Sequence, residues 1–170
     1  MEPCATRRHS TAAPPPRSGK AVLITDFSPT GNALVKQFDI ELKDFGEGRR
    51  TDPVMTPISK VLSRDEMIAL GNWYAAQKPA TNQFKADSAK VDAGRKISDA
   101  VLCPMCHGGG FIGQNEVPRV AGQNPEYIRK QLQDFRAKRR TNDAGNMTSV
   151  AHALSDVDIE NLSHYIGNLN

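Results

Sequence analysis

Long apolar runs are missing from this chain of 170 residues: nothing approaches the roughly 20 consecutive apolar residues that cross a bilayer, so no membrane-spanning helix is expected. Aromatic residues are scarce, at 6% with a single tryptophan. Two small domains made from such a sequence would each have a thin core, the situation in which a metal, a disulfide or a cofactor commonly completes the fold. A charge bias is missing too. Residues 1–80 carry 11 Lys/Arg against 9 Asp/Glu and residues 81–170 carry 11 against 10, so neither half reads as a nucleic-acid-binding arm. The opening MEPCATRRHSTAAPPPRSGKAVL places charge and proline where a secretory signal needs ~7–15 apolar residues, and no export signal is visible in it. The densest basic run, Arg136 to Arg140, reads either as a solvated helix end beside a favourable dipole or as a docking patch for an acidic partner.

What is present is a repeat. The stretch DFGEGRRTDPVMTPISKVLS from Asp44 has its counterpart in DFRAKRRTNDAGNMTSVAHALS from Asp134. Asp44-Phe45 matches Asp134-Phe135, and Arg49-Arg50-Thr51 matches Arg139-Arg140-Thr141. After a two-residue length difference, Met55-Thr56 matches Met147-Thr148 and Leu62-Ser63 matches Leu154-Ser155. An internal duplication of this kind predicts two domains, residues 1–80 and 81–170, joined through the polar stretch around Ala80–Ala86.

Strand patterns are nearly absent and helix signals recur. Ser63 with Glu66, and Ser155 with Asp158, have capping-box spacing. Met67, Leu70 and Tyr74 follow one box on a single helical face; Ile159, Leu162, Ile166 and Leu169 follow the other. Asn124-Pro125-Glu126 reads as an N-cap followed by proline at the first helical position, with Ile128, Leu132 and Phe135 as the apolar stripe. A further helix is expected from about Ser88 into Leu102. The predicted fold class is all-α, and the second half reads as helix, CPMCH, glycine-rich loop, helix, methionine loop, helix.

The segment Cys103-Pro-Met-Cys-His107 carries the chemistry. Two thiols at this spacing can each form a thioether to a haem vinyl group while the adjacent histidine comes under the iron. The rivals are a zinc site, which needs four ligands usually supplied as two spaced pairs, and a thioredoxin-like redox pair, which needs a βαβ context. Neither accompaniment is visible in the sequence. A haem iron that exchanges electrons without binding substrate needs a sixth ligand, and a methionine thioether favours the ferrous state. Of the five methionines, Met147 remains after the terminal Met1, Met105 inside the motif, and Met55 and Met67 of the first repeat are set aside. It falls in a loop that can fold back over the opposite haem face; a loop methionine that simply fills core space is the competing reading. Gly108-Gly-Gly110 could let backbone approach a flat macrocycle or merely permit a turn, and Pro118 could pack on the ring or belong to loop chemistry.

Together CPMCHGGG, VPRVAGQNPEYIRKQLQDF, RTNDAGNM and LSDVDIENLSHYI resemble the C-terminal domain of the dihaem cytochrome c4 family over residues 88–169, and Leu34 to Pro79 is similar to that family's N-terminal domain. The resemblance implies two tandem all-helical cytochrome c domains, haem c, and a periplasmic location, often at the membrane. It also implies electron carriage, not enzymatic turnover, between partners such as a quinol-oxidising complex and a terminal oxidase or reductase. It carries Cys103 and Cys106 over as thioether anchors and His107 and Met147 as axial iron ligands. The rival functions are a haem peroxidase or dehydrogenase cytochrome subunit, and a structural protein holding zinc.

The first repeat departs from this pattern. Its CxxCH is missing, and the nearest material, Cys4-Ala-Thr-Arg-Arg-His9, has one thiol and a displaced histidine. One haem is therefore expected from the sequence and a second is conditional. Either the first repeat is haemless, or the Arg/Pro-rich residues before Leu34 are not the natural start, or Cys4 gives a single thioether with His9 and Met55 as axial ligands.

Overall fold

The computed structural model describes residues 31–77, 84–114 and 116–169. They build the expected all-helical chain: α1 (Gly31–Gly46), α2 (Met55–Val61), α3 (Arg64–Ala75), α4 (Ser88–Ala100), α5 (Cys103–His107), α6 (Pro125–Arg136), α7 (Asn146–His152) and α8 (Asp156–Gly167), with a 3-10 turn at Gly109–Phe111. Among the described residues there is no strand, only one isolated antiparallel bridge between Gln114 and Val117. Cys4, His9 and residues 80–83 of the expected linker lie outside the described residues.

The helix starts follow their sequence signals. Asn124 accepts a hydrogen bond from the Tyr127 amide (3.2 Å) ahead of Pro125. Both capping boxes form. The Ser63 hydroxyl accepts from the Glu66 amide (3.4 Å) while the Glu66 carboxylate accepts from the Ser63 amide (2.8 Å); Ser155 and Asp158 do the same at 3.1 and 2.9 Å. The Ser155 hydroxyl and amide hold the Asp158 carboxyl below its usual value. A carboxyl lowered by folding contributes stability above its unfolded pKa and loses that contribution as pH falls through the folded value. Ser155→Ala is accordingly expected to cost about 1 kcal/mol at neutral pH and to flatten the acid limb of the stability curve below about pH 4. Urea midpoints across that range check the prediction; an acid limb as steep as in the parent would reject it.

The duplication is visible in the packing. α1 packs on α2 and α3, and α6 packs on α7 and α8. The second repeat also has α4 lying along α8. Its core joins Ile128 and Leu132 of α6 to Ile159, Leu162 and Ile166 of α8, with Phe111, Ala121 and Leu154 between them. Here the first repeat differs from expectation. Leu70, placed by periodicity on a buried face, keeps 36% of its surface exposed, whereas its counterpart Leu162 keeps 1%. The reason is the neighbour: α8 is covered by α4, and no equivalent helix covers α3 among the described residues.

The two repeats meet through polar side chains in a nearly symmetrical arrangement. Arg49 Nε donates to Asp44 (2.7 Å) as Arg139 Nε does to Asp134 (2.8 Å). Arg50 stacks 4.5 Å from the centre of the Phe45 ring, and Arg140 stacks 4.6 Å from that of Phe135. Arg50 then crosses to Tyr127 (2.8 Å) and Gln131 (3.0 Å) of α6, while Arg140 crosses to Glu41 of α1 (2.8 Å). Buried polar networks fix geometry when every member is satisfied, and here Arg50 and Arg140 each have partners from both repeats. The basic run is thereby partly used inside the chain. Arg136 donates to the Leu154 carbonyl (3.0 Å) and pairs with Asp156, Arg139 holds Asp134, and Arg140 lies in the interface. Lys138 and Arg139 stay exposed at the end of α6.

Candidate haem site

The chain enters the motif through a strained residue. Leu102, just after α4, has φ 60° and ψ 34°, a left-handed conformation that costs a non-glycine residue roughly 1–2 kcal/mol. This reversal sets Cys103–His107 off as a helix of its own. In that helix Cys103 and Cys106 are three residues apart and share a face. Both are free thiols, Cys103 half-buried against the core and Cys106 exposed. Burial pushes the Cys103 thiol up, opposed by the Ser98 hydroxyl beside it.

His107 is 8% exposed, and its Nδ1 lies 2.9 Å from the Pro118 carbonyl oxygen. A carbonyl can only accept, so Nδ1 carries the proton and Nε2 keeps the lone pair. Burial pulls this imidazole below its usual pKa, against the smaller opposing effect of that hydrogen bond. Neutral imidazole with its other nitrogen fixed by a backbone carbonyl is the form that ligates metals. The intervening loop makes the contact. The Gly113 amide donates to the His107 carbonyl (2.8 Å). Gly113 has φ 79° and runs so close to the returning strand of chain that a Cβ there would sit 2.5 Å from the Arg119 nitrogen. Pro118 is thus brought to His107 through its carbonyl, a contact no side-chain reading would have found. Gly108 (φ 78°) and Gly110 (φ 68°) adopt left-handed turn geometry, so the turn by itself requires glycine at both.

Met147 is not in a loop: it occupies the first turn of α7, half-buried. It packs against the same core cluster as Cys103, and that cluster includes Phe111, whose ring stacks with His107 at 6.3 Å between centroids. Cys103 and Met147 thus pack on one apolar cluster, and His107 stacks on its Phe111. Asp143 fixes this turn, accepting from the Thr148 amide (2.6 Å) and hydroxyl (3.3 Å). Met55 opens α2 in the same way. Asp52 accepts from its amide (3.0 Å) and from that of Val54 (2.9 Å). The counterparts expected for Met55, Cys4 and His9, lie outside the described residues. Among the described residues no group of three or more His, Cys, Asp or Glu side chains is placed to hold a metal ion. His164 is engaged elsewhere, with the Asp87 amide (3.2 Å) and Glu160 (3.2 Å). That donor set does not fit zinc; paired thiols, a neutral oriented histidine and a thioether beside one apolar cluster fit a haem of the c type.

Comparison with known proteins agrees. The family model described as Cytochrome c matches residues 91–170. Cytochrome c4 of Thiocapsa roseopersicina is 30% identical over 192 residues, covering 97% of this chain and 100% of that protein. The chain belongs to the cytochrome c4 family. Cytochrome c4 of Azotobacter vinelandii is 35% identical over 136 residues, which span 74% of this cytochrome and 63% of the Azotobacter protein. The crystal structure of reduced recombinant cytochrome c4 from Pseudomonas stutzeri superposes with a TM-score of 0.71 at 31% identity, covering 82% of this chain and 81% of that one. This is an electron-transfer cytochrome of the haem c class, with the all-α, two-repeat fold of its relatives.

Proposed function

We propose that the chain is a periplasmic electron carrier, not an enzyme, with residues 1–80 as its N-terminal domain and 81–170 as the haem c domain. In the second domain Cys103 and Cys106 would hold haem c through two thioethers, and His107 and Met147 would be the iron ligands. The redox partners fitting this reading are a quinol-oxidising complex on one side and a terminal oxidase or reductase on the other, with peripheral attachment to the membrane. When bound, haem c supplies one-electron exchange between ferric and ferrous iron. The protein's part is to hold both axial donors in place. Pro118 keeps the proton on Nδ1 of His107 and so offers Nε2 as donor. The capped first turn of α7 holds Met147 against the core, and its thioether favours the ferrous state. Leu102, Met105 and Ile112 are apolar and exposed around the motif and would border the surface through which electrons pass.

The observation that carries the reading is the buried, neutral, carbonyl-oriented His107 beside the cluster on which Met147 packs. Met147→Ala tests it. The variant is expected to have a midpoint potential lower by a substantial part of the roughly 0.8 V range that axial ligation spans. It is also expected to bind carbon monoxide when reduced, whereas the unmodified protein does not. Ready carbon monoxide binding by the unmodified protein would instead favour a peroxidase-like open site. For residues 1–170 as they stand, one haem per polypeptide is expected from pyridine haemochrome absorbance with intact mass; two would place the second on Cys4, His9 and Met55.

A further inference from the structure

Two carboxylates of the first repeat end at the segment that carries Met147. Asp44 and Glu41 lie one turn apart on α1. Asp44 Oδ2 accepts from Asn142 Nδ2 at 2.6 Å, and Glu41 Oε1 accepts from Arg140 Nη2 at 2.8 Å. Arg140 Nε also donates to the Asn142 side-chain oxygen (2.8 Å), so the two are locked together before they are gripped from α1. Both sides of the grip are shielded. The side chains of Asp44, Arg140 and Glu41 are 6%, 13% and 26% exposed.

From Asn142 the chain runs directly into the methionine turn. Asp143 accepts from the Thr148 amide at 2.6 Å. Ala144 and Gly145 between them take left-handed φ values of 49° and 85°, and the Asn146 amide closes back on the Asp143 carbonyl (3.1 Å). Little slack is left between the grip and Met147. In the first repeat the charge of Lys130 on α6 bears on the methionine loop, but the hydrogen bonds there are local. Asp52, the counterpart of Asp143 in the first repeat, has its hydrogen bonds with Thr56, Val54 and Met55 of its own loop. The first repeat thus grips the methionine segment of the second, while the arginine that returns the contact, Arg50, reaches α6 instead.

We propose that α1 of the first repeat braces the iron-ligand segment of the second, with Asp44 and Glu41 acting through Asn142 and Arg140 as positioning residues for Met147. The inference rests on the reading of Met147 as an iron ligand. It gives the first repeat a task that does not depend on a haem of its own. A hydrogen bond to a charged, water-shielded acceptor changes an equilibrium by about ten-fold or more, which sets the size of the effect.

The test uses the haem-loaded full chain with Asn142→Ala and Asn142→Asp; the second keeps the shape but turns an acceptor toward Asp44. Two quantities are read: hydrogen exchange of the Thr148 amide, and the affinity of the ferric protein for imidazole, which competes with the thioether. In both variants exchange is expected to be about ten-fold faster and imidazole binding about ten-fold tighter. Lys36→Ala, which cuts the exposed Lys36–Glu116 pair (3.2 Å), should change neither. Unchanged Thr148 exchange in both Asn142 variants overturns the brace. Faster exchange with unchanged imidazole affinity keeps the grip but breaks its link to the iron. If the unmodified ferric protein shows no thioether-to-iron charge-transfer band, the ligand reading falls by itself, and the exchange measurement still decides the brace.

Discussion

Changing both Cys103 and Cys106 to serine is expected to abolish covalent haem: after denaturing electrophoresis the polypeptide should no longer stain for haem, and acidified acetone should remove all colour. A serine hydroxyl is isosteric with the thiol but forms no thioether, so nothing ties cofactor to chain once His107 and Met147 let go. The single variants each keep one bond and should hold haem through denaturation at reduced yield. The structure also separates the two. Cys103 packs against the core cluster and Cys106 is exposed, so Cys103→Ser should lose more folding stability of the two, since it puts a hydroxyl in a place of apolar contact. Covalent haem surviving in the double variant would transfer the attachment to Cys4, the remaining cysteine.

Gly94→Ala should destabilise the second repeat strongly. α4 crosses α8 so closely that a Cβ at residue 94 would sit 2.2 Å from the Asn161 carbonyl oxygen and 2.7 Å from both the Asn161 carbonyl carbon and the Tyr165 Cβ. Backbone atoms cannot rotate away. The gain of about 1 kcal/mol that alanine brings to an ordinary helix position is therefore outweighed by overpacking that costs about 3 kcal/mol. A net loss of about 2 kcal/mol, and with it a fall in melting temperature of roughly 8–16 °C, follows for a domain of this size, measurable by circular dichroism. The damage reaches the site, because α4 delivers the chain into Leu102 and the α5 motif, so haem incorporation should drop with it. Arg95→Ala, next in sequence but with its side chain at the surface, should move the melting temperature little. A Gly94→Ala protein as stable as its parent would mean that the helices do not cross at this glycine.

Much of this site could be read from residue types alone because the chemistry is local. Two thiols three residues apart with a histidine directly after need only a turn of helix to act together, and the structure supplies that turn. The helix starts at Ser63, Asn124 and Ser155 were legible for the same reason: a cap is a hydrogen bond between residues two or three apart. The duplication was legible as matched dipeptides, and its helices follow. Other features depended on neighbours distant in sequence. Leu70 and Leu162 have the same place in the same pattern, yet one is exposed and the other buried, because only α8 has α4 against it. Met147 stood out by elimination, but its position in a helical turn held by Asp143 required the folded loop. Pro118 caught attention as a ring-packing residue, whereas its contact with His107 is made by a backbone carbonyl, an atom every residue possesses.

The sequence by itself determined the all-helical class, the repeat and the CxxCH motif that points to haem c, since each rests on residue types in a local pattern. The tertiary structure decided which imidazole nitrogen is free, which helix faces are covered, and that Arg140 of the basic run reaches across to the first repeat. Those outcomes rest on hydrogen bonds and packing between residues ten to a hundred positions apart, and no local pattern encodes which of many possible partners the chain brings together.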